Sequence, residues 1–570
     1  MSTTPEPFAI SGINFEILKY LNYKELINFC SANRTIKQIC DTDPNIANLK
    51  IQKYVQYIIE KNDNDLSKTF FKSIETNNII VLNYLINNMN FDPSVNDNQA
   101  LIFACQLSNY VIVNILTNDK RVDILAQNYE ALYTCVENGD LNIFDLFLNK
   151  TDIPKDVLDE LFMVACMNQK ISIVNRLLTF NIDINVLNDA LINACENGYT
   201  DIFDILINIP DVDPSVNNNV CLEQVSLNGN LDIFYKLISD KRVSVSDNMF
   251  INACSNGHYE IAKTLLNYNI NPASNDQQAL ISASKNGHID VVKLLLSLPE
   301  IDPSKQDQSA LNMASIYGHY DVVKILLSDK RINPVYQNCI ALLYACQYGH
   351  KNIVELFVLE NLVSDKQCFN NCLTTALRSK KYNIVDLLVD KVDVESLNEG
   401  IKISCLNGSY ETTELLMSYG ADPSVDNNFC IICASEYRYT NIVYLLLKDS
   451  RVDPSDKNYS ALKHAILNND YNTIDMLISD KRIKEIPESI VDIVIKNGNL
   501  DILNLLIRKK LQVTERLLYK AVIFHKSLIV KRLLDFEFTE NQINKAIKLV
   551  HGNDEILLSL YNYISANFGR

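Results

Sequence analysis

The sequence predicts an all-α solenoid of about 17 helix–turn–helix units, preceded by a small helical N-terminal unit. Three observations predict it: long-range self-similarity, punctuation by glycine and proline, and apolar stripes at helical spacing. Self-similarity comes first, because a period of 20–50 residues marks a stacked array. The stretches QALISASKNGHIDVVKLLLSLPEIDPS from Gln278, SALNMASIYGHYDVVKILLSDKRINPV from Ser309, QALIFACQLSNYVIVNILTNDKRVDIL from Gln99 and SALKHAILNNDYNTIDMLISDKRIKEI from Ser460 share one pattern.

With the turn between the helices as anchor, equivalent residues are Asn77, Ser108, Gly139, Gln169, Gly198, Gly229, Gly257, Gly287, Gly318, Gly349, Lys380, Gly408, Arg438, Asn469, Gly498, His525 and Gly552. The 475 residues from first to last, over 16 intervals, give a period near 30. Ten of the 14 glycines fall at this anchor, where a helix ends and φ > 0 is required. Pro93, Pro214, Pro272, Pro303, Pro334, Pro423 and Pro454 lie 15 or 16 residues later, each after Asp or Asn. A residue before proline is pushed out of the α region, so each unit reads as helix, turn, helix, extended Asp-Pro-Ser segment. In the unit that starts at Ala279, Leu280 and Ala283 precede the turn at i and i+3, and Val291, Leu294 and Leu295 follow it at i, i+3 and i+4. Neither stripe can be buried by its own helix, and stacking on neighbouring units buries both. Alanine in mid-helix permits close helix approach.

Composition narrows the function. Apolar residues make up 47% and charged ones 21%, and 52 Lys plus Arg against 69 Asp plus Glu give −17. A surface that acidic disfavours nucleic acid and anionic membrane as partners. No apolar run approaches the ~20 residues of a membrane span. The opening MSTTPEPFAISG lacks the basic and apolar regions of a secretory signal. Cytoplasmic placement (the host cytoplasm for a viral protein) is therefore expected ahead of a nuclear one, with all 15 cysteines reduced.

No phosphate-binding glycine loop, nucleophile elbow or zinc-protease motif is present. The expectation is a non-enzyme without metal or cofactor. Cys105, Cys166, Cys195, Cys254, Cys346 and Cys405 stand three residues before the anchor, where other units carry Ser226, Ser284, Ser315 and Ser435. Packing asks for a small residue there, and stacked helices ~8–10 Å apart are expected to keep thiols from bridging. The Cys430–Cys433 pair lies within a first helix and has no partner pair. His258, His288, His319 and His350 each follow the turn glycine and read as turn braces. The loops Asp119–Arg121, Asp240–Arg242, Asp329–Arg331 and Asp480–Arg482 place cations where second helices end, complementing the macrodipole.

The pattern resembles the ankyrin repeat family. The resemblance rests on A-L-x-x-A, then N-G-H-x-x-V-V-K-L-L-L, then D-P-S, clearest in Ala279–Ser304 and Ala310–Pro334, and it covers about residues 66–570, with degenerate units from about 490. Two departures stand out: the family's Thr-Pro-Leu-His opening is mostly Gln/Ser-Ala-Leu-x, and the period is shorter than the family's, so the finger between units is expected to be shortened. The resemblance implies a protein-binding array, expected to be a monomer. Its target-binding inner face is assigned to the first-helix positions that vary beside the fixed Leu and Ala: Phe103, Thr134, Asn193, Asn252, Ser282, Met313, Tyr344 and His464.

Residues 10–55 do not fit the repeat. Phe15, Leu18 and Leu21, then Leu26, Ile27 and Cys30, then Ile36, Ile39 and Cys40 mark three short amphipathic helices. E-I-L-x-Y-L from Glu16, x-E-L-I-x-x-C ending at Cys30 and x-x-I-K-x-I-C ending at Cys40 resemble the F-box, without its Leu-Pro and its tryptophans. That resemblance implies docking on the F-box-binding adaptor of cullin–RING ubiquitin ligases through Phe15, Leu18, Leu21, Leu26 and Ile27. A plain cap for the array is the alternative, burying the same residues against Phe70, Phe71 and Leu82. Head, array and AT-biased composition together resemble the ankyrin proteins of large DNA viruses of protists, or of an AT-rich protist itself.

Overall fold

The computed structural model describes residues 18–32, 34–509 and 511–569. Every regular element among them is a helix. Three helices form the head: α1 (Tyr23–Cys30), α2 (Arg34–Thr42) and α3 (Pro44–Lys61). Seventeen helix pairs follow among the described residues, beginning with α4 (Leu66–Glu75) and α5 (Ile79–Asn88) and ending with Glu540–Lys548 and Asp554–Phe568. The expected all-α repeat solenoid is the observed fold.

All 17 anchor residues have φ > 0, including seven that are not glycine: Asn77, Ser108, Gln169, Lys380, Arg438, Asn469 and His525. The repeat imposes the left-handed turn even where a side chain makes it costly, roughly 1–2 kcal/mol for an L-residue. At Gly318 a second reason operates. A Cβ there would lie 2.5 Å from Nδ1 of His350, which packs over the turn of the preceding pair.

The helices divide into two compact units. One comprises Met1–Ala253 with Thr264–Ile270, the other Cys254–Lys263 with Asn271–Arg570. The first is filled by aromatic rings, with Phe70, Phe144, Phe147, Phe162, Phe203, Phe234 and Phe250 fully buried. The second relies on aliphatic side chains such as Val291, Val292, Leu295, Val322, Val323 and Leu326. Ala283 and Ala314 are 0% exposed, and their helices, Ser274–Asn286 and Lys305–Tyr317, pack on each other. Ala283→Leu or Ala314→Leu should therefore destabilise the protein by ~1–3 kcal/mol through overpacking. Unchanged urea midpoints for both variants would show that these alanines do not set the helix spacing.

The segment between pairs takes a form the sequence did not disclose. After Asp-Pro-Ser or the residues in its place, eight pairs set three successive residues in the left-handed region, as at Gln306, Asp307 and Gln308 with φ of 47°, 55° and 58°. Asn and Asp tolerate this conformation best and fill many of these places. The third residue turns its side chain inward. Where it is Asn or Gln, its side-chain carbonyl oxygen accepts a backbone N–H of the next pair: Asn98 from Asp123 at 2.8 Å, Gln308 from Asn333 at 2.7 Å, Asn428 from Asp453 at 2.6 Å. Each bond satisfies a donor that the extended segment would otherwise leave unpaired. The Asp of Asp-Pro-Ser caps its own turn, since both the N–H and the hydroxyl of Ser304 donate to Oδ1 of Asp302 at 3.0 and 2.7 Å.

The cysteines require a correction. Cys30–Cys40 and Cys339–Cys368 are disulfides, with Cα atoms 5.8 and 5.9 Å apart. The expectation of unbridged thiols rested on the spacing of helix axes. Cys339 instead occupies the third finger residue, the place of Asn98 and Gln308, and that side chain points into the next pair. The remaining 11 cysteines are free and buried.

Candidate interaction surfaces

The head folds around its own core. Leu18, Leu26, Cys30, Cys40, Ile46 and Leu49 are buried together, with Leu21, Phe29 and Ile36 packed against them. Local sequence explains the geometry. Asn22 closes a capping box with Glu25 at the start of α1, and Asp43 caps α3 with Pro44 at its first position. This corrects the expected docking patch. Leu26 is 0% and Leu18 1% exposed, so neither can offer surface to a partner. Leu21 is half-buried and Ile27 remains exposed at 36%. Phe15 lies outside the described residues. The expected cap contact is not the one formed either, because the buried cluster contains head residues only. The head meets the first pair through α3, which packs on α4 and α5 and whose Tyr54 hydroxyl accepts from Nδ2 of Asn78 at 2.8 Å. Because α3 is 18 residues long, it runs past the boundary at 55 that the sequence suggested.

The first-helix positions chosen from variability are not an open face. Phe103, Asn193, Asn252, Ser282, Met313, Tyr344 and His464 are half-buried, and Thr134 is buried with its hydroxyl donating to Glu130 O at 2.8 Å. The reason is angular. These residues immediately precede the packed Ala or its equivalent, so part of each side chain lies under the neighbouring helix.

Some of the exposed apolar residues stand one or two places before the turn. Leu107, Met167, Leu227, Tyr317, Tyr348, Leu406, Tyr437 and Leu467 are all exposed there. The place just before the anchor is informative, because asparagine often holds it with a fixed job. Nδ2 of Asn138 donates to Cys105 O at 2.9 Å, Asn286 to Ser255 O at 2.7 Å and Asn407 to Leu377 O at 2.8 Å, each bracing the preceding pair. Tyr317, Tyr348 and Tyr437 replace that brace with a ring that is about half exposed (51%, 48% and 52%). The signal was readable in the sequence as Tyr where other units have Asn-Gly, but only the brace shows what the substitution gives up.

The histidines and Asp-Lys-Arg loops are structural. Nε2 of His288, His319 and His350 lies 2.9, 2.8 and 2.8 Å from Ser255 O, Lys285 O and Ile316 O of the preceding pair. Arg331 grips both oxygens of Asp329 through Nε and Nη2 and donates Nη1 to Ile301 O at 2.6 Å. Arg242 does the same to Val212 O at 2.9 Å and Arg482 to Val452 O at 2.6 Å. These arginines tie consecutive pairs together rather than merely complementing a helix dipole.

The arginine beside each of Asp119, Asp240, Asp329 and Asp449 holds its carboxyl below the usual carboxylate range. A depressed folded-state pKa stabilises the protein above the unfolded value, and that stability is lost as pH falls through the folded one. The urea midpoint should therefore drop below about pH 4, and the four Asp→Asn changes together should flatten that drop. An equal drop with and without them would remove these clamps from the acid response.

Burial pushes the Cys105, Cys166 and Cys433 thiols up to about 12, as apolar surroundings disfavour thiolate. At neutral pH these cysteines act as small apolar side chains. Cys430 and Cys433 belong to no cluster of three or more metal-ligating residues among those described. No helix among the described residues is long and apolar enough to cross a membrane.

The family model for ankyrin repeats, built on three copies, matches residues 132–218, 162–249, 222–307, 250–338, 311–398 and 401–486. The chain belongs to the ankyrin repeat family. No curated protein matches it. Among solved structures, this ankyrin chain is similar to the crystal structure of the pentatricopeptide repeat protein PPR10 from maize, at 12% identity over 94% of this chain and 89% of that one, with a TM-score of 0.25. Ankyrin repeats are protein–protein interaction modules.

Proposed function

We propose that this ankyrin protein is a non-enzymatic adaptor. Its array holds a target protein, and its head recruits the F-box-binding adaptor of a cullin–RING ubiquitin ligase. The observation that carries the proposal is the head's separate core: Leu18, Leu26, Cys30, Cys40, Ile46 and Leu49 bury one another rather than closing the end of the stack. A segment that served only as a cap would spend these side chains on the first ankyrin pair. For the target, Tyr317, Tyr348 and Tyr437 offer aromatic side chains of the type enriched at binding hot spots.

A second reading, a passive scaffold or sequestering protein capped by the head, draws on the packing of α3 against α4 and α5. The two part on one experiment. The tagged full chain, expressed in a eukaryotic cell, should co-purify with the adaptor and cullin, and Ile27→Asp should abolish this while leaving the thermal midpoint unchanged. If the intact chain retains no adaptor, the recruiting role is wrong and the scaffold reading stands.

A further inference from the structure

A groove opens where the head meets the first ankyrin pair. Its volume is about 790 Å³, and Tyr23, Ile27, Lys50, Ile51, Tyr54 and Ile80 are among the residues that line it. It is composite: α1 and α3 supply the first five of these, and α5 of the array supplies Ile80. Three isoleucines expose apolar surface: Ile27 at 36%, Ile51 at 37% and Ile80 at 52%. Such a patch, bounded by fixed helices, is the usual sign of a partner site.

Charge identifies the kind of partner. Among the described residues Lys50 is the one charged residue in the lining, and its ammonium is paired from outside that lining with Asp41 at 3.1 Å. Around it, residues 18–61 carry seven cations (Lys19, Lys24, Arg34, Lys37, Lys50, Lys53, Lys61) against four carboxylates (Glu25, Asp41, Asp43, Glu60). With Glu16 of the head also counted, residues 10–61 carry +2 in a chain whose total is −17. An acidic partner is attracted to this end and repelled by the rest of the molecule. The conformation of the partner follows from the backbone. The described residues offer no strand edge here, so an extended segment would find no ladder for its amides, whereas a helix satisfies its own and presents apolar side chains at i, i+3 and i+4.

We infer that this groove docks an acidic amphipathic helix of another protein, and that the first ankyrin pair forms part of the docking site through Ile80. The inference rests on reading the head as a recruiting module and adds to it where the partner sits and what chemistry it has. One consequence is that the head would not bind with full strength when detached from the array.

The test uses the full chain and fluorescence anisotropy. The probes are two labelled peptides of about 18 residues, with Leu at helical i, i+3, i+4, i+7 spacing and either Glu or Lys on the other faces. The Glu peptide should bind, weaken with added salt, and lose at least about tenfold affinity on Ile80→Glu (tenfold being 1.4 kcal/mol), while Ile80→Lys keeps or improves it. Ile80 is half exposed, so both variants should retain the fold, and a structural defect would affect them alike. Equal binding of both peptides, or indifference to Ile80→Glu, overturns the inference. The ligase adaptor, added as a third probe, separates the two proposals. Its capture by wild type and Ile80→Glu alike overturns the composite groove and leaves the recruiting role intact. Binding of the Glu peptide at Ile80 without capture of the adaptor supports the groove and removes the ubiquitin ligase.

Discussion

Leu26→Asp should unfold the head and spare the array. Leu26 is 0% exposed and sits among Leu18, Cys30, Cys40, Ile46 and Leu49, with no polar partner in the cluster. A carboxylate at that point loses its hydration and gains nothing in return. Even protonated it costs ~2–7 kcal/mol as an unpaired polar group. A core of so few side chains cannot absorb that. The first ankyrin pair has its own buried set in Phe70, Ile74, Leu82 and Leu85, so the loss should stop near α3. Native-state hydrogen exchange is the measurement, because it reports opening segment by segment. Amides of α1 and α2 should lose protection while those of the pairs beyond Asn88 keep theirs. If protection fell throughout residues 66–250 as well, the head would be one cooperative piece with the array, and its description as a separate module would be wrong.

Phe234→Ala should cost ~3–5 kcal/mol, the range for removing a buried phenylalanine whose surroundings relax only in part. Phe234 is 0% exposed on the second helix Leu231–Ser239, between the equally buried Ile233 and Leu237, and it meets the ring of Tyr235 edge-on with centroids 5.5 Å apart. The effect should be local in origin, because each pair of a solenoid leans mainly on its neighbours. Weakening one interface by that amount can exceed the coupling that makes the array unfold together. Urea unfolding of the variant is then expected to show two transitions where the parent shows a more cooperative one. A loss under about 1 kcal/mol, well short of the cavity range, would mean that the aromatic core around Phe234 is not closely packed.

Much of this was legible in the chain. The anchors named from the repeat are all left-handed, even at Lys380, Arg438 and His525, where no glycine advertised the turn. Register carried that information, since a residue 30 places from its equivalents inherits their backbone. The apolar stripes, the packed alanines and the bracing histidines follow from the same logic. The head was legible in part: its breaks at Asn22 and Asp43 appear as helix caps, whereas the fate of Leu26 and Ile27 was not foreseeable. Both sit on the apolar side of α1, and one residue of rotation separates 0% from 36% exposure.

The sequence by itself determined the period, the turn at each anchor and the helical class, because these depend on local conformation and on residues that recur at fixed spacing. Tertiary structure alone decided which residues are free to act. Asn98 and Gln308 became inter-pair ties, Cys339 found Cys368, Arg331 closed on the preceding pair, and Phe103 and Met313 sank halfway into the stack. All of these are contacts across one full repeat, set by how closely one pair lies on the next. Periodicity fixes which residues are equivalent, but the distance between stacked surfaces arises only when side chains interlock. That distance leaves the tyrosines before the turns and the isoleucines beside the head exposed at the surface.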